Sequence, residues 1–305
     1  MEPIERALRA GGGVCRAADL ADVPRRRLAA ALAAGRVERL RHGVYGSPWI
    51  PEEAKRAVRV GGRLGCVSAA RLHGLRVLND PRRVHVALDA HASRPRHPDD
   101  PARRLSIDAP DGIRLHWSRQ PRPQHGFIVP LEECLAQMLA CLPALDALCA
   151  LDSAREHVVW HGGGPPQLDE PAFARFIEGL PAQSRVIARR SSTLSQAVGE
   201  TVARERLRAA GIPVLEQFEL PGGFVGDLLV GERLVFDIEG ERPHSAPGAF
   251  DRDRRRAAWL KACGFAHLAV SHRQVLHEWD EVESVVRLLM RRGVHCWGDG
   301  LDRPA

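Results

Sequence analysis

The chain has 305 residues, of which 44% are hydrophobic, and a formal charge of +6. That length accommodates two or three domains with sizeable cores, and the positive excess favours polyanionic partners, nucleic acid first. Only Lys55 and Lys261 are lysines, so nearly all of the positive charge is arginine. Seven cysteines, at 15, 66, 134, 141, 149, 263 and 296, include no C-x-x-C pair, which argues against a zinc ribbon and against a disulfide framework. Met1 to Arg9 carries charges and no apolar run, so no secretory signal is expected. No stretch approaches the length of a membrane span, and the cytoplasm is the expected compartment.

Residues 1–50 are expected to form a small helical unit followed by a wing. Val14 to Leu20 has the pattern of a short amphipathic helix, Pro24 suits a first helical turn, and Arg25 to Ala34 is a second helix stopped by Gly35. Val37 to Tyr45 alternates as two short strands around Gly43. Helix, turn, helix and wing is a DNA-binding layout in which the second helix enters the major groove. Arg25, Arg26 and Arg27 fall at the N-terminal end of that helix, where base edges or phosphates are met, and Arg36, Arg39 and Arg41 could track backbone phosphates. Winged helices also serve as protein-interaction modules. The segment resembles the N-terminal winged helix of AbiEi-type antitoxins through Gly12-Gly13-Val14, Leu20, Leu28, Gly35, Val37, Arg39-Leu40 and Gly43-Val44-Tyr45. That resemblance implies DNA binding or transcriptional autoregulation.

Residues 51–190 form an α/β middle region that also resembles AbiEi-like proteins. Helices are expected from Pro51 to Arg59, near Ser68 to Leu72, and from Leu131 to Arg155 with an interruption at Pro143. Strands are expected at Val84–Leu88 and Ile113–Trp117, and His91 to Arg104 is an exposed loop. The histidines here, among them His73, His85, His91, His97, His116 and His125, have no ligand spacing with a third partner and are expected to be surface or structural. Gly162 to Pro166 lacks a following Gly-Lys-Ser/Thr and suits a hinge better than a phosphate loop.

From residue 191, Ser195 is a candidate N-cap, and Thr201 to Ala210 is a helix ending at Gly211. Glu200 opens it, placed either to reach a metal site or to favour the helix dipole. Val225–Val230 and Leu234–Ile238 are short apolar runs around Gly231-Glu232-Arg233, the signature of a hairpin. Asp227, Asp237 and Glu239 lie within it, and a carboxylate in an apolar strand is costly to desolvate unless a positive group meets it. A two-residue turn pairs Asp227 with Phe236; a three-residue loop pairs Asp227 with Asp237. Glu239 follows Asp237 by two residues and so shares its face. Clustered carboxylates are ligands for Mg²⁺; the alternative is a half-exposed hairpin that turns its acids to water. A basic helix from Phe250 to Cys263, a strand at Phe265–Val270, a closing helix at Val275–Arg291 and a loosely ordered tail from 293 complete the chain.

The stretch from Ser195 to about Arg292 resembles the very-short-patch-repair-like endonuclease domains of the PD-(D/E)XK superfamily. The matching residues are Glu200, Gly211 with Gln217, Asp227-Leu228-Leu229, Val235-Phe236-Asp237-Ile238-Glu239-Gly240, His244, Phe250, Asp253-Arg254, Arg256, Leu260 and Gly264. The acids stand in the order Asp237 then Glu239, the reverse of the family's usual pair; position 239 holds no Lys, and Ala257 stands where an acid is common. The resemblance implies a restriction-endonuclease-like mixed sheet flanked by helices at 191–292, with a tail at 293–305, in a chain of α/β (α+β) class. It implies Mg²⁺ (or Mn²⁺) held by Asp227, Asp237 and Glu239, a proton-moving or leaving-group role for His244, and phosphate contacts from Arg254 and Arg256, with DNA as the substrate. The rival expectation is a non-catalytic DNA-binding regulator on a degenerate nuclease fold, partnered by a cognate toxin or defence-system protein.

Overall fold

The computed structural model describes residues 2–92, 94–100, 102–106, 112–118, 126–156, 165–240 and 249–298. Among them are twelve α-helices and three small sheets in a mixed α/β arrangement. Two compact units are formed, Met1–Ala147 with Leu180–Ser184, and Leu148–Gly179 with Arg185–Ala305. No helix among the described residues is long and apolar enough to cross a membrane.

The first unit begins with α1 (Pro3–Ala10), whose Ile4 and Leu8 lie four residues apart and are both buried. It continues through β1 (Val14–Arg16), a 3-10 turn (Ala17–Leu20), α2 (Arg25–Ala33), β2 (Glu38–Arg41) and β3 (Val44–Gly46). Strand β3 lies between β1 and β2 and is antiparallel to both. The predicted helix over 14–20 is therefore half strand. Val14 and Cys15 pair with Gly46 and Tyr45, and sheet pairing outweighs the weak helical preference of a seven-residue segment. Ile4, Leu8, Cys15, Leu20, Ala31 and Val37 close a core beneath these elements.

Next come α3 (Glu52–Val60), β4 (Arg63–Leu64), α4 (Cys66–Ala70), β5 (Val84–Asp89), β6 (Ile113–Ser118), α5 (Leu131–Cys141) and α6 (Ala144–Arg155). Strand β5 is central, antiparallel to β4 and parallel to β6, and its residues Val84 to Leu88 are all buried, as a strand covered on both faces requires. Residues 162–164 of the expected hinge lie outside the described residues.

The remaining elements are α7 (Glu170–Glu178), α8 (Ala182–Ala188), α9 (Val198–Ala209), β7 (Val214–Leu220), β8 (Phe224–Val230), β9 (Leu234–Glu239), α10 (Ala249–Ala262), β10 (Ala266–Ser271), α11 (His272–His277) and α12 (Trp279–Arg291). The four-stranded sheet runs β10-β9-β8-β7; β10 is parallel to β9 and the other pairs are antiparallel. Leu220, Leu229, Val235, Leu260 and Phe265 form a core between the sheet and α10.

Three local expectations change. Ser195 does not cap α9, whose N-cap is Ala197 without a side-chain bond; Ser195 is buried and its hydroxyl accepts from Arg204 at 2.8 Å. The closing helix is two helices, because Ser271 and Gln274 build a capping box that starts α11 early and Glu278 leaves helical geometry. The start of the tail is docked: His295 O accepts from the N–H groups of Glu232 and Arg233, and Trp297 stacks edge-on against Phe265.

The second unit holds its helices to the sheet through a buried arginine. Arg204 on α9 is fully buried. It meets Asp152 and Glu216 at 3.0 Å each and Glu205 at 3.1 Å. Asp152 also accepts from Thr201 at 2.8 Å and from the Ser192 N–H at 2.9 Å. Three carboxylates around one guanidinium leave no charge desolvated and alone.

Candidate functional site

The apolar runs on either side of Gly231 fold into a hairpin because Gly231 takes φ 64°, a left-handed conformation that glycine adopts without a Cβ clash. Val230 pairs with Leu234, Leu229 with Val235 and Leu228 with Phe236, the register of the three-residue loop. The next residue on each strand is an aspartate, and there the side chains take over from the backbone ladder. The Asp227 N–H donates to Asp237 Oδ1 at 3.1 Å, and the Ile238 N–H donates to Asp227 Oδ2 at 2.7 Å.

Asp237 is buried and densely held. Arg256 of α10 donates Nη1–H to Oδ2 at 2.5 Å and Nη2–H to Oδ1 at 2.9 Å, while His267 of β10 brings Nε2 to 2.6 Å from Oδ2. With the Asp227 N–H, these contacts engage about four acceptor sites, the capacity of a carboxylate. Burial alone would raise the Asp237 carboxyl; the bonds from His267 and Arg256 outweigh it and hold the group below the usual carboxylate range. Asp227 goes the other way. Burial pushes it up from 3.8 to about 6, opposed by the Ile238 N–H and reinforced by the neighbouring Asp237 charge.

Glu200, on the first turn of α9, is buried. Its Oε2 accepts from the Gln196 N–H at 2.8 Å and from Gln217 Nε2 at 3.1 Å. Gln217 interrupts the β7–β8 register between Glu216↔Leu228 and Phe218↔Gly226, the place opposite Asp227, and takes φ 47°. That is a strained conformation for a residue with a side chain. Glu200, Gln217, Asp227 and Asp237 thus come from a helix and three adjacent strands. Glu239 is exposed at the end of β9, in register with Ser271 of β10. His244 lies outside the described residues. Arg254 is exposed on α10, whereas Arg256 is committed to Asp237 and to the Val225 carbonyl at 3.1 Å.

Carboxylate oxygens are the donors a hard divalent ion takes, so the donor chemistry of Asp227, Asp237 and Glu239 fits Mg²⁺ or Mn²⁺. Asp237 must exchange contacts with Arg256 to accept one. His267 is the polar neighbour that the sequence reading did not single out. Its only advance signal is alternation along β10, and the parallel register with β9 that brings it to Asp237 is a tertiary fact.

In the first unit, Arg25, Arg26 and Arg27 are all exposed on the opening turn of α2. Arg39 is exposed on β2, with Nη2 at 3.0 Å from His42 Nδ1, and Arg41 is half-buried.

No family model matches the chain. No curated protein matches it either. Among solved structures, the catalytic domain of the homing endonuclease I-Bth0305I is similar over 32% of this chain and 97% of its own length, at 18% identity and a TM-score of 0.28. A likeness that slight carries no argument about this chain's fold or chemistry.

Proposed function

We propose that the chain is a DNA-acting phosphodiester hydrolase, with residues 1–50 as a winged helix-turn-helix that holds DNA and 191–292 as a restriction-endonuclease-like domain that cuts it. Residues 51–190 lie between as a middle region. The observation that supports this most is the meeting of Asp227 and Asp237 where the β8–β9 ladder ends, with Glu200 and Gln217 on the neighbouring elements.

Asp227, Asp237 and Glu239 would hold Mg²⁺ or Mn²⁺, which when bound supplies Lewis-acid polarisation of the phosphate and a water of lowered pKa. Arg256 then exchanges the Asp237 carboxylate for a phosphate, an anion its two N–H groups grip in the same forked way. His267 holds or moves a proton at Nε2, the atom that faces Asp237. Glu200 fixes the Gln217 amide, His244 serves the leaving group, and Arg254 takes a flanking phosphate. Arg25, Arg26, Arg27, Arg39 and Arg41 contact DNA from the first segment.

A second reading, a DNA-binding regulator without hydrolytic activity that works with a toxin or defence-system protein, is favoured by one observation: the acceptor sites of Asp237 are already engaged by Arg256, His267 and a backbone N–H. The two readings separate on purified protein incubated with plasmid and single-stranded DNA in Mg²⁺ or Mn²⁺, beside Asp237→Ala, Asp227→Asn and EDTA controls. Metal-dependent cutting lost in both variants is the expected result. Intact DNA, retarded equally by wild type and Asp237→Ala, would establish the regulator.

A further inference from the structure

Four side chains that the sequence scatters over 76 positions converge in the first unit. Cys66 opens α4, His85 lies on β5, His116 on β6, and Cys141 ends α5. One ligand atom from each falls within 4.8 Å of all the others. His85 Nδ1 and His116 Nε2 face each other at 2.9 Å, with the rings stacked at a 5.2 Å centroid separation. In a tetrahedral site with bonds of about 2.0 Å to nitrogen and 2.3 Å to sulfur, ligand atoms stand roughly 3.3–3.8 Å apart. Movements of about an ångström or less separate the present arrangement from that geometry.

Three further observations set this cluster apart from an ordinary core contact. Cys66 takes φ 48°, a conformation that costs a residue with a side chain, and it is held there: its N–H donates to Gln137 Oε1 at 2.9 Å and its carbonyl accepts from Cys134 Sγ at 3.1 Å. The His85 backbone is fixed by its N–H donating to Ser68 Oγ at 3.0 Å. Cys66 and His85 are buried, with polar atoms turned toward one another rather than toward water. Burial pushes both imidazoles down to about 4, helped by His116 at His85 and by Arg114 at both.

We propose that Cys66, His85, His116 and Cys141 bind one zinc ion in a closed, tetrahedral structural site. Two thiolates and two imidazoles are a zinc donor set, and four protein ligands leave no open position for catalysis. On binding, each thiol gives its proton to solvent, and a proton held between the two rings moves to the far nitrogen of its imidazole. The ion ties α4 and α5 to the β5–β6 pair, so it contributes to the folding of the first unit and does not depend on the hydrolase reading of the second.

The test is metal analysis of the purified full chain after exposure to Zn²⁺ and desalting, beside Cys141→Ser, His116→Ala and the remote control Cys263→Ser, with circular dichroism for folding. The expected result is about one zinc per chain in wild type and control, and affinity reduced at least about tenfold in the two ligand variants. Cobalt titration of the wild-type chain decides the matter even where a variant fails to fold. Intense ligand-field bands with a thiolate charge-transfer band support the site. No cobalt uptake by the folded wild type, a six-coordinate spectrum, or zinc retained in full by folded Cys141→Ser would overturn it.

Discussion

Asp227 and Asp237 are adjacent carboxylates whose environments drive them apart, one up by burial and the other down by a guanidinium and an imidazole. For Asp227 the consequence is a pH-dependent stability. Its folded value of about 6 lies above the ordinary 3.8, so the folded state holds the proton more tightly than the unfolded chain. The stabilisation is fully present below about pH 4 and is lost as the pH rises through about 6, for a total of about 2–3 kcal/mol. Urea unfolding from pH 3.5 to 7 should show Asp227→Asn removing that part of the slope; an unchanged slope would mean Asp227 titrates normally. Asp237 makes the complementary prediction. Arg256→Met leaves a buried carboxylate without its main partner and should cost about 2–3 kcal/mol. If the carboxylates hold a divalent ion, millimolar Mg²⁺ should raise the melting temperature of this variant more than that of wild type.

At the scale of elements, α2 carries a charge arrangement that its own stability does not ask for. Arg25, Arg26 and Arg27 occupy the first turn, where the helix dipole is positive and acids are preferred. Replacing all three by glutamate should leave the protein as stable or more stable, by about 0.3–1 kcal/mol per site at low salt. The same variant should bind DNA more weakly, with the slope of log K against log salt shallower by about 2–3. Equal retention on a gel at several salt concentrations would rule out the proposed DNA contact by α2. This helix was legible because its stop is chemical: Gly35 at φ 66° ends it, as Gly211 at φ 75° ends α9 and Gly231 leads the β8–β9 loop. The segment at 14–20 was not, because three residues of it pair with β3, a partner thirty residues away in the chain.

Across the molecule, the polar groups that matter most are the ones the sequence hides best. Arg204 sits in R-E-R-L-R and looks like a solvated helix face, yet it is fully buried among Asp152, Glu205 and Glu216. Arg204→Met should cost about 3–5 kcal/mol, since it leaves the buried Asp152 without its cation and strips Glu205 and Glu216 of one of theirs, Arg190 and Arg208 remaining. Chemical denaturation measures it directly, and a loss under about 1 kcal/mol would mean that water replaces the guanidinium. Asp152 and Arg204 are 52 positions apart, Asp237 and His267 30, and Cys66 and Cys141 75. Alternation of apolar residues and glycines at the turns are local properties, and by themselves they indicated most strands and most helices; they left two registers open for the hairpin, and the fold decided that Asp227 faces Asp237. Which charge meets which, and whether a histidine or cysteine is a ligand or filler, depends on burial and on partners distant in the chain. Those energies exist only once the chain has folded, so the tertiary structure alone decided them.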